Sequence, residues 1–266
     1  MAEVDAPVLV ERQDNILIIT INRPDARNAV NAAVHAGLGN ALKLADSDPD
    51  VRVVVLTGAG DKAFCAGTDL KAMARGESNW PDDREQKSWG WAGFVRHPIG
   101  KPIIAAVNGF ALGGGTELAL ASDLVIAAAH AEFGLPEVRR GIFAAAGGAF
   151  RLAQQLPPKI AMELLLTGDT ISAARAVELG LANRVVPLDE LMPATMKMAR
   201  AIAANAPLAV QATKRIAKGI VEGKIASDAA FWAANKQEGS IVMRSADARE
   251  GPRAFAEKRL PIWQGK

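Results

Sequence analysis

The sequence predicts an α/β fold in which a strand, a short extended segment and a helix form a recurring unit, followed by a helical C-terminal region. Three observations carry this reading. Apolar, β-branched runs at Val51–Thr57, Ile103–Val107 and Ser122–Ala128 read as buried strands. Each is followed by a shorter extended piece and a helix start, so the unit occupies residues 51–73, 102–121 and 123–140. Beyond Ala145 the pattern is almost wholly helical, with alanine and isoleucine faces. If the three units stack in one sheet sense, their strand-to-helix turns lie along one edge and bring Ala66, Gly114 and Glu137 close together.

The elements follow in order. Val8–Val10 and Ile16–Ile21 flank Gln13-Asp14-Asn15 and read as a β-hairpin, closed by Asn22-Arg23-Pro24-Asp25. A helix from Asn31 to Leu44 is broken by Asp46-Ser47-Asp48-Pro49-Asp50. After the strand at 51–57, Gly58-Ala59-Gly60-Asp61-Lys62-Ala63 fits the alanine-ending dinucleotide-binding fingerprint. That fingerprint leads straight into a long helix, whereas Phe64-Cys65-Ala66-Gly67 is another extended segment, and no acidic residue closes a second strand about twenty positions on. The stretch reads as a turn, and helix begins near Thr68-Asp69, where an aspartate suits the N-terminus. Residues 75–100 carry Trp80, Trp89, Trp91 and Phe94 in a chain without tyrosine. These aromatics either pack a long loop and helix onto the core or line an apolar pocket.

Farther on, Ala131-Glu132-Phe133-Gly134 is extended and Leu135-Pro136-Glu137-Val138 starts a helix with proline early in it. Helices are expected over Phe150–Leu156, Pro157–Leu166 and Ile171–Leu179, the last stopped by Gly180. A short strand at Asn183–Pro187 precedes helices at 188–204, 207–222, 225–238 and 248–259. The expected division is a strand-and-helix core over 1–200 and a helical region over 201–266 that packs on that core or on another subunit.

The central stretch runs from Lys101 to Glu117 as strand, glycine turn and helix. Gly113-Gly114-Gly115 removes every side chain where the helix begins, so backbone N–H groups are exposed at a helix N-terminus, suited to an anion or to a carbonyl oxygen gaining charge. No Gly-Lys-Ser/Thr ending follows, which excludes a P-loop. Glu117 then opens Leu118-Ala119-Leu120-Ala121, an apolar setting in which a carboxylate points to chemistry.

Composition limits the alternatives. With 31 basic and 29 acidic residues in 266, the net charge of +2 is no footprint of a nucleic-acid binder, although basic residues can line a local phosphate pocket. No apolar run reaches membrane-spanning length, and the start Met-Ala-Glu-Val-Asp-Ala-Pro has neither a basic nor an apolar leader pattern, so a soluble cytoplasmic protein without membrane or nucleic-acid partners is expected. Cys65 is the single cysteine, so no intramolecular disulfide forms, and no Cys/His spacing suggests a metal.

Asn108-Gly-Phe-Ala-Leu-Gly-Gly-Gly-Thr-Glu117, preceded by Phe64-Cys-Ala-Gly-Thr-Asp-Leu-Lys71 and followed by Phe133-Gly-Leu-Pro-Glu137, resembles the crotonase (enoyl-CoA hydratase/isomerase) superfamily. The likeness runs from Asn22-Arg-Pro to Ala254-Phe-Ala-Glu-Lys-Arg259. It implies a crotonase-like spiral of ββα units with a helical C-terminal region, assembled as a trimer or dimer of trimers. By motif matching it implies that the N–H groups of Ala66 and Gly114 hold the thioester oxygen of an acyl-CoA. Retention of both glutamates implies a hydratase of trans-2-enoyl-CoA, with Glu117 activating water and Glu137 exchanging the C2 proton. Coenzyme A enters as part of the substrate and no separate cofactor is implied. Asp69, Leu70 and Lys71 match the segment bordering adenine and pantetheine, and Arg27 the segment approaching the phosphates, although Asp25 stands where some relatives have lysine. Phe255 and Lys258 match positions reaching CoA from a neighbouring subunit. Cys65 is only a neighbour of the oxyanion donor.

Where many hydratases have a proline-containing turn, this chain has Arg139 to Gly148, and its tryptophan-bearing 80–94 segment also departs from the short-chain pattern. A carnitinyl-CoA dehydratase-like substrate, a branched acyl group and a steroid side-chain intermediate are all open. Δ3–Δ2 isomerisation in the same pocket is the second enzymatic reading. A non-catalytic or RNA-binding homologue is the reading from another class, opposed by both glutamates and the small net charge.

Overall fold

A computed structural model describes residues 6–266, and Met1–Asp5, part of the segment read above as lacking a leader, lies outside them. The strands are β1 (Val8–Gln13), β2 (Ile16–Ile21), β3 (Val53–Gly58), β4 (Ala63–Cys65), β5 (Ile103–Val107), β6 (Phe110–Leu112), β7 (Leu124–Ala128), β8 (Glu132–Gly134), β9 (Thr170–Ser172), β10 (Arg184–Val186), β11 (Ile220–Val221) and β12 (Lys224–Ile225). The helices are α1 (Ala32–Ser47), α2 (Leu70–Ala74), α3 (Arg84–Ser88), α4 (Gly114–Ala121), α5 (Gly148–Gln155), α6 (Pro158–Thr167), α7 (Ala173–Glu178), α8 (Leu188–Ala203), α9 (Pro207–Lys218), α10 (Ala229–Val242) and α11 (Ala246–Ala256).

The repeating unit builds two sheets at once. Its longer strands enter a six-stranded sheet of order β1-β2-β3-β5-β7-β10, parallel except for the β1–β2 hairpin. Its shorter strands enter a second sheet of order β4-β6-β8-β9, in which β9 alone runs antiparallel. Each turn of the chain therefore adds one strand to each sheet, which is the expected spiral.

Strand periodicity divides the core in two. Leu17, Ile19 and Ile21 of β2, Val54 and Leu56 of β3, Ala105 and Val107 of β5 and Val125 and Ala127 of β7 face the main core with α1, α4 and α5. The alternate residues, among them Ile16, Ile18, Val53, Val55, Ile104 and Ile126, pack beneath Leu191, Met196 and Ala199 of α8. Both faces are covered, so the strands read as continuous apolar runs.

Helical expectation fails in two places. Residues 170–172 pair with β8 as a strand instead of opening a helix, because Gly168 (φ +69) stops α6 and frees the chain to cross to Gly134. Residues 220–225 form the hairpin β11–β12 where two helices were expected. Glu222 (φ +48) and Gly223 (φ +69) make a two-residue turn with both centres left-handed, which matches strand twist.

The turn after β3 is held by two asparagines. Asn28, fully buried, accepts from the Arg23 N–H at 3.0 Å and donates to Ala59 O and Ala63 O at 3.0 and 2.7 Å. Asn108 accepts from the Gly58 N–H at 3.1 Å and donates to Gly60 O at 2.8 Å. These contacts fix the segment that leads into β4 and the site. Asn28→Ala strands buried carbonyls and lowers stability by about 1–3 kcal/mol, measurable by urea unfolding.

Candidate active site

The glycine turn is shaped by what presses on it. Gly113 has φ +55, and a Cβ there would lie 3.0 Å from Glu137 Oε1. A Cβ on Gly114 would meet Trp91 Cη2 at 2.2 Å, and one on Gly115 would meet Cys65 O at 2.0 Å. Each glycine is required by a different neighbour. The N–H of Gly114 belongs to the first turn of α4, whose donors have no intrahelical acceptor.

Glu117 is carried in that same first turn and is 3% exposed. Its Oε1 accepts from the Gly148 N–H at 2.8 Å, at the start of α5. Gly148 must be glycine here, since a Cβ would come within 2.9 Å of Glu117 Cγ. Glu137 lies on a short 3-10 segment, Pro136–Arg140, ended by the left-handed Gly141. Its Oε2 is buried and meets no hydrogen-bond partner among the described residues. Thr116 ties the two carboxylates' supports together. Its hydroxyl oxygen lies 2.6 Å from Ala111 O and 3.0 Å from Gly134 O, and it accepts from the Gly134 N–H at 3.0 Å. The Gly113 N–H also donates to Gly134 O, at 2.8 Å.

Both carboxyls are pushed well above the ordinary carboxylate range. For Glu117 the causes are burial and then the charge of Glu137, against which the Gly148 and Ala146 N–H groups and Arg151 pull down. For Glu137 the cause is burial, opposed by its own backbone N–H. Two acids so placed titrate as a pair, each keeping its proton to higher pH than an exposed carboxyl does.

The Ala66 assignment is corrected. Its N–H donates to Arg27 O at 3.0 Å, because Arg27 adopts a left-handed conformation (φ +54) that turns its carbonyl towards β4's end. That proton is spent inside the fold. The N–H two residues on, at Thr68, meets no acceptor among the described residues, while its neighbours Gly67 O and Asp69 N both bond to Val30. A Cβ on Gly67 would lie 3.4 Å from Gly114 N, so the Thr68 and Gly114 segments are adjacent. Matching by position selects Ala66, whose N–H is engaged by a residue distant in sequence, and passes over Thr68, whose N–H is not.

Other expected residues divide. Asp69, 6% exposed, caps α2 by accepting from the Ala72 N–H at 2.9 Å and pairs with Arg23 at 2.8 Å. Burial raises its carboxyl pKa, but these partners outweigh burial and hold it below the usual range. Its carboxylate is thus committed to holding the segment. Leu70, Lys71 and Arg27 are exposed at the surface around it. Phe255, on α11, lies under the Arg140 guanidinium at 4.0 Å, on the Glu137 side, and Lys258 follows it, exposed. Cys65 is wholly buried and burial pushes its thiol up to about 12, so it stays protonated. The tryptophans also divide: Trp89 is buried on Gly39 and stacked on His97 at 4.6 Å, whereas Trp91 reaches the glycine turn.

The chain matches the family model described as enoyl-CoA hydratase/isomerase over residues 11–266 and belongs to that family. It is 42% identical to a carnitinyl-CoA dehydratase of Salmonella enteritidis over 257 residues, 96% of this chain and 97% of that protein. Among solved structures, a carnitinyl-CoA hydratase from Mycobacterium avium is 54% identical with TM-score 0.96, covering 99% of this chain and all of that one. An enoyl-CoA hydratase from Mycobacterium tuberculosis is 47% identical with TM-score 0.76, covering 98% and 100%.

The raised acids have a consequence for stability. A carboxyl whose folded pKa lies above its ordinary 4.5 holds a proton that the unfolded chain releases. That stabilisation is complete below 4.5 and is lost as pH rises towards the raised value. Glu117→Gln has no proton to lose, so at pH 8 it is more stable than the parent by about 1 kcal/mol, and the parent's decline from pH 5 to 8 flattens in thermal melts.

Proposed function

We propose that this chain adds water reversibly to a trans-2-enoyl-CoA to give the 3-hydroxyacyl-CoA. The observation that carries the reading is the pair of carboxyls with raised proton affinity, the buried Glu117 and the half-buried Glu137 with its Oε2 enclosed, set on either side of a side-chain-free turn with free N–H donors. In this reading the N–H groups of Gly114 and Thr68 receive the thioester oxygen. Each aimed donor contributes roughly 2.7–4 kcal/mol to an enolate-like state. Ionised Glu117 takes a proton from water as its oxygen adds to C3, and protonated Glu137 delivers its proton to C2. Hydration begins with the proton on Glu137, and dehydration begins with it on Glu117. The two directions need the same pair in opposite protonation states.

Coenzyme A is the carrier of the substrate, and these acid–base steps call for no further cofactor. In this reading Arg27 meets its phosphates, Leu70 and Lys71 border its adenine and pantetheine, and Asp69 acts by fixing that segment. Phe255 and Lys258 complete the CoA site from a neighbouring copy in a homotrimer or dimer of trimers. Exposed Leu208, Ile216 and Leu260, at 76%, 83% and 88%, supply apolar surface for that assembly in the region beyond residue 200. No helix among the described residues is long and apolar enough to cross a membrane, and we place the protein in the cytoplasm. Similarity to carnitinyl-CoA dehydratase favours one second reading, dehydration of a 3-hydroxyacyl-CoA such as the carnitinyl thioester, through the same two glutamates.

The test follows loss of enoyl-thioester absorbance with crotonyl-CoA, longer and branched 2-enoyl-CoAs and crotonobetainyl-CoA. Glu117→Gln and Glu137→Gln each lose about 10²–10⁴ in kcat while still binding CoA esters. Double-bond migration without incorporation of solvent oxygen would establish isomerisation instead. Full activity in either variant would overturn the two-glutamate mechanism.

A further inference from the structure

Trp91 touches both segments that carry the free N–H donors. Its indole Nε1 donates to Thr68 Oγ1 at 3.1 Å, and its ring lies on Gly114 so closely that a Cβ there would meet Cη2 at 2.2 Å. The ring is fixed from behind. Gly90, Ala92 and Gly93 around it are all left-handed, at φ +75, +59 and +64. A Cβ on Gly93 would strike His35 O at 2.4 Å and Gly39 N at 2.8 Å, so this backbone is clamped onto α1. Trp91 O accepts from the N–H groups of Phe94 and Val95, at 3.2 and 3.3 Å. Phe94 and Val95 are buried, at 4% and 2%, whereas Trp91 is only partly so.

From this geometry we infer that Trp91 is a positioning residue of the oxyanion site. Thr68 forms an isolated bridge with Val30 between β4 and α2, and the peptide group that carries its N–H is held at its other end, where Gly67 O accepts from the Val30 N–H at 2.8 Å. The indole N–H fixes the Thr68 side chain, a second hold on the residue that keeps the Thr68 N–H in the direction the Val30 bond gives it. The same ring, resting on Gly114, sets the separation of the two donors. Because a hydrogen bond to a developing oxyanion depends steeply on direction and distance, a donor free to turn away loses much of its effect. The inference rests on the reading of Gly114 and Thr68 as the thioester-oxygen donors.

The experiment compares the parent with Trp91→Phe, Thr68→Val, their combination and Thr68→Ser, reading kcat and KM on crotonyl-CoA, thermal stability, and the absorbance band of bound cinnamoyl-CoA. That band moves to longer wavelength when donors polarise the thioester carbonyl, and it requires no turnover. Losing a donor outright costs about 10²–10³ in rate, so loosening one is expected to cost about tenfold in kcat with KM within about twofold. The red shift shrinks in Trp91→Phe and in Thr68→Val alike, the combination is no worse than either alone, and Thr68→Ser recovers most of what Thr68→Val loses. An unchanged kcat and unchanged red shift in Trp91→Phe, with only a lower melting temperature, would make the indole packing alone and overturn the inference. If the parent binds cinnamoyl-CoA without any red shift, the oxyanion reading itself fails and the inference falls with it.

Discussion

Close approach of backbone at Gly113-Gly114-Gly115 is the constraint on which the rest of the structure depends. Glu137 presses on the first glycine, Trp91 on the second and Cys65 O on the third. Adding one methyl group at any of them displaces a different wall of the site. The turn therefore does more than tolerate missing side chains: it lets a carboxyl group, an aromatic ring and a strand end converge on one helix start. That helix start also presents unpaired N–H groups. Packing and chemistry share the same few atoms.

Two carboxylates placed in such a dry site are costly, and the fold accepts this cost locally. Glu117 is surrounded by apolar core and relieved by the N–H groups at the start of α5 and by the charge of Arg151, which is itself paired with Asp228 at 3.3 Å. Glu137 has less relief, with Oε2 unpartnered. Buried acids that resist ionisation weaken the folded state at neutral pH, yet they are the form in which a carboxyl can both give and take a proton there. Thr116 and the Gly113 N–H, both meeting Gly134 O, keep the supports of the two acids in register.

The C-terminal region reinforces the Glu137 side. α11 lies against the 3-10 segment, and a Cβ on its Gly251 would meet Arg140 O at 2.0 Å, while one on Gly141 would meet Asp247 O at 2.1 Å. Two glycines on opposite partners allow this contact. Asp247 also accepts from the Gln264 and Gly265 N–H groups, at 2.7 and 3.0 Å, which folds the last residues back onto the helix. The acid at residue 137 is thus positioned from behind by residues more than a hundred places later in the chain.

The sequence by itself determined the repeating strand, extended piece and helix, the buried character of the strands, the glycine turn and the two glutamates. These are legible because they rest on local periodicity and on residue types whose conformational or chemical properties do not depend on distant partners. It failed where a short segment's state depends on what lies opposite: β9 is a strand because β8 offers an edge, and the β11–β12 hairpin turns at Glu222-Gly223 inside what reads as helix. The site shows the same division. Glu117 and Glu137 were identifiable as residues, but only the tertiary structure decided that Ala66 spends its N–H on Arg27 while that of Thr68 remains free, and that Trp91 rather than Trp89 reaches Gly114. A hydrogen bond or a close contact belongs to two segments at once, and the chain order of one segment holds no record of the other.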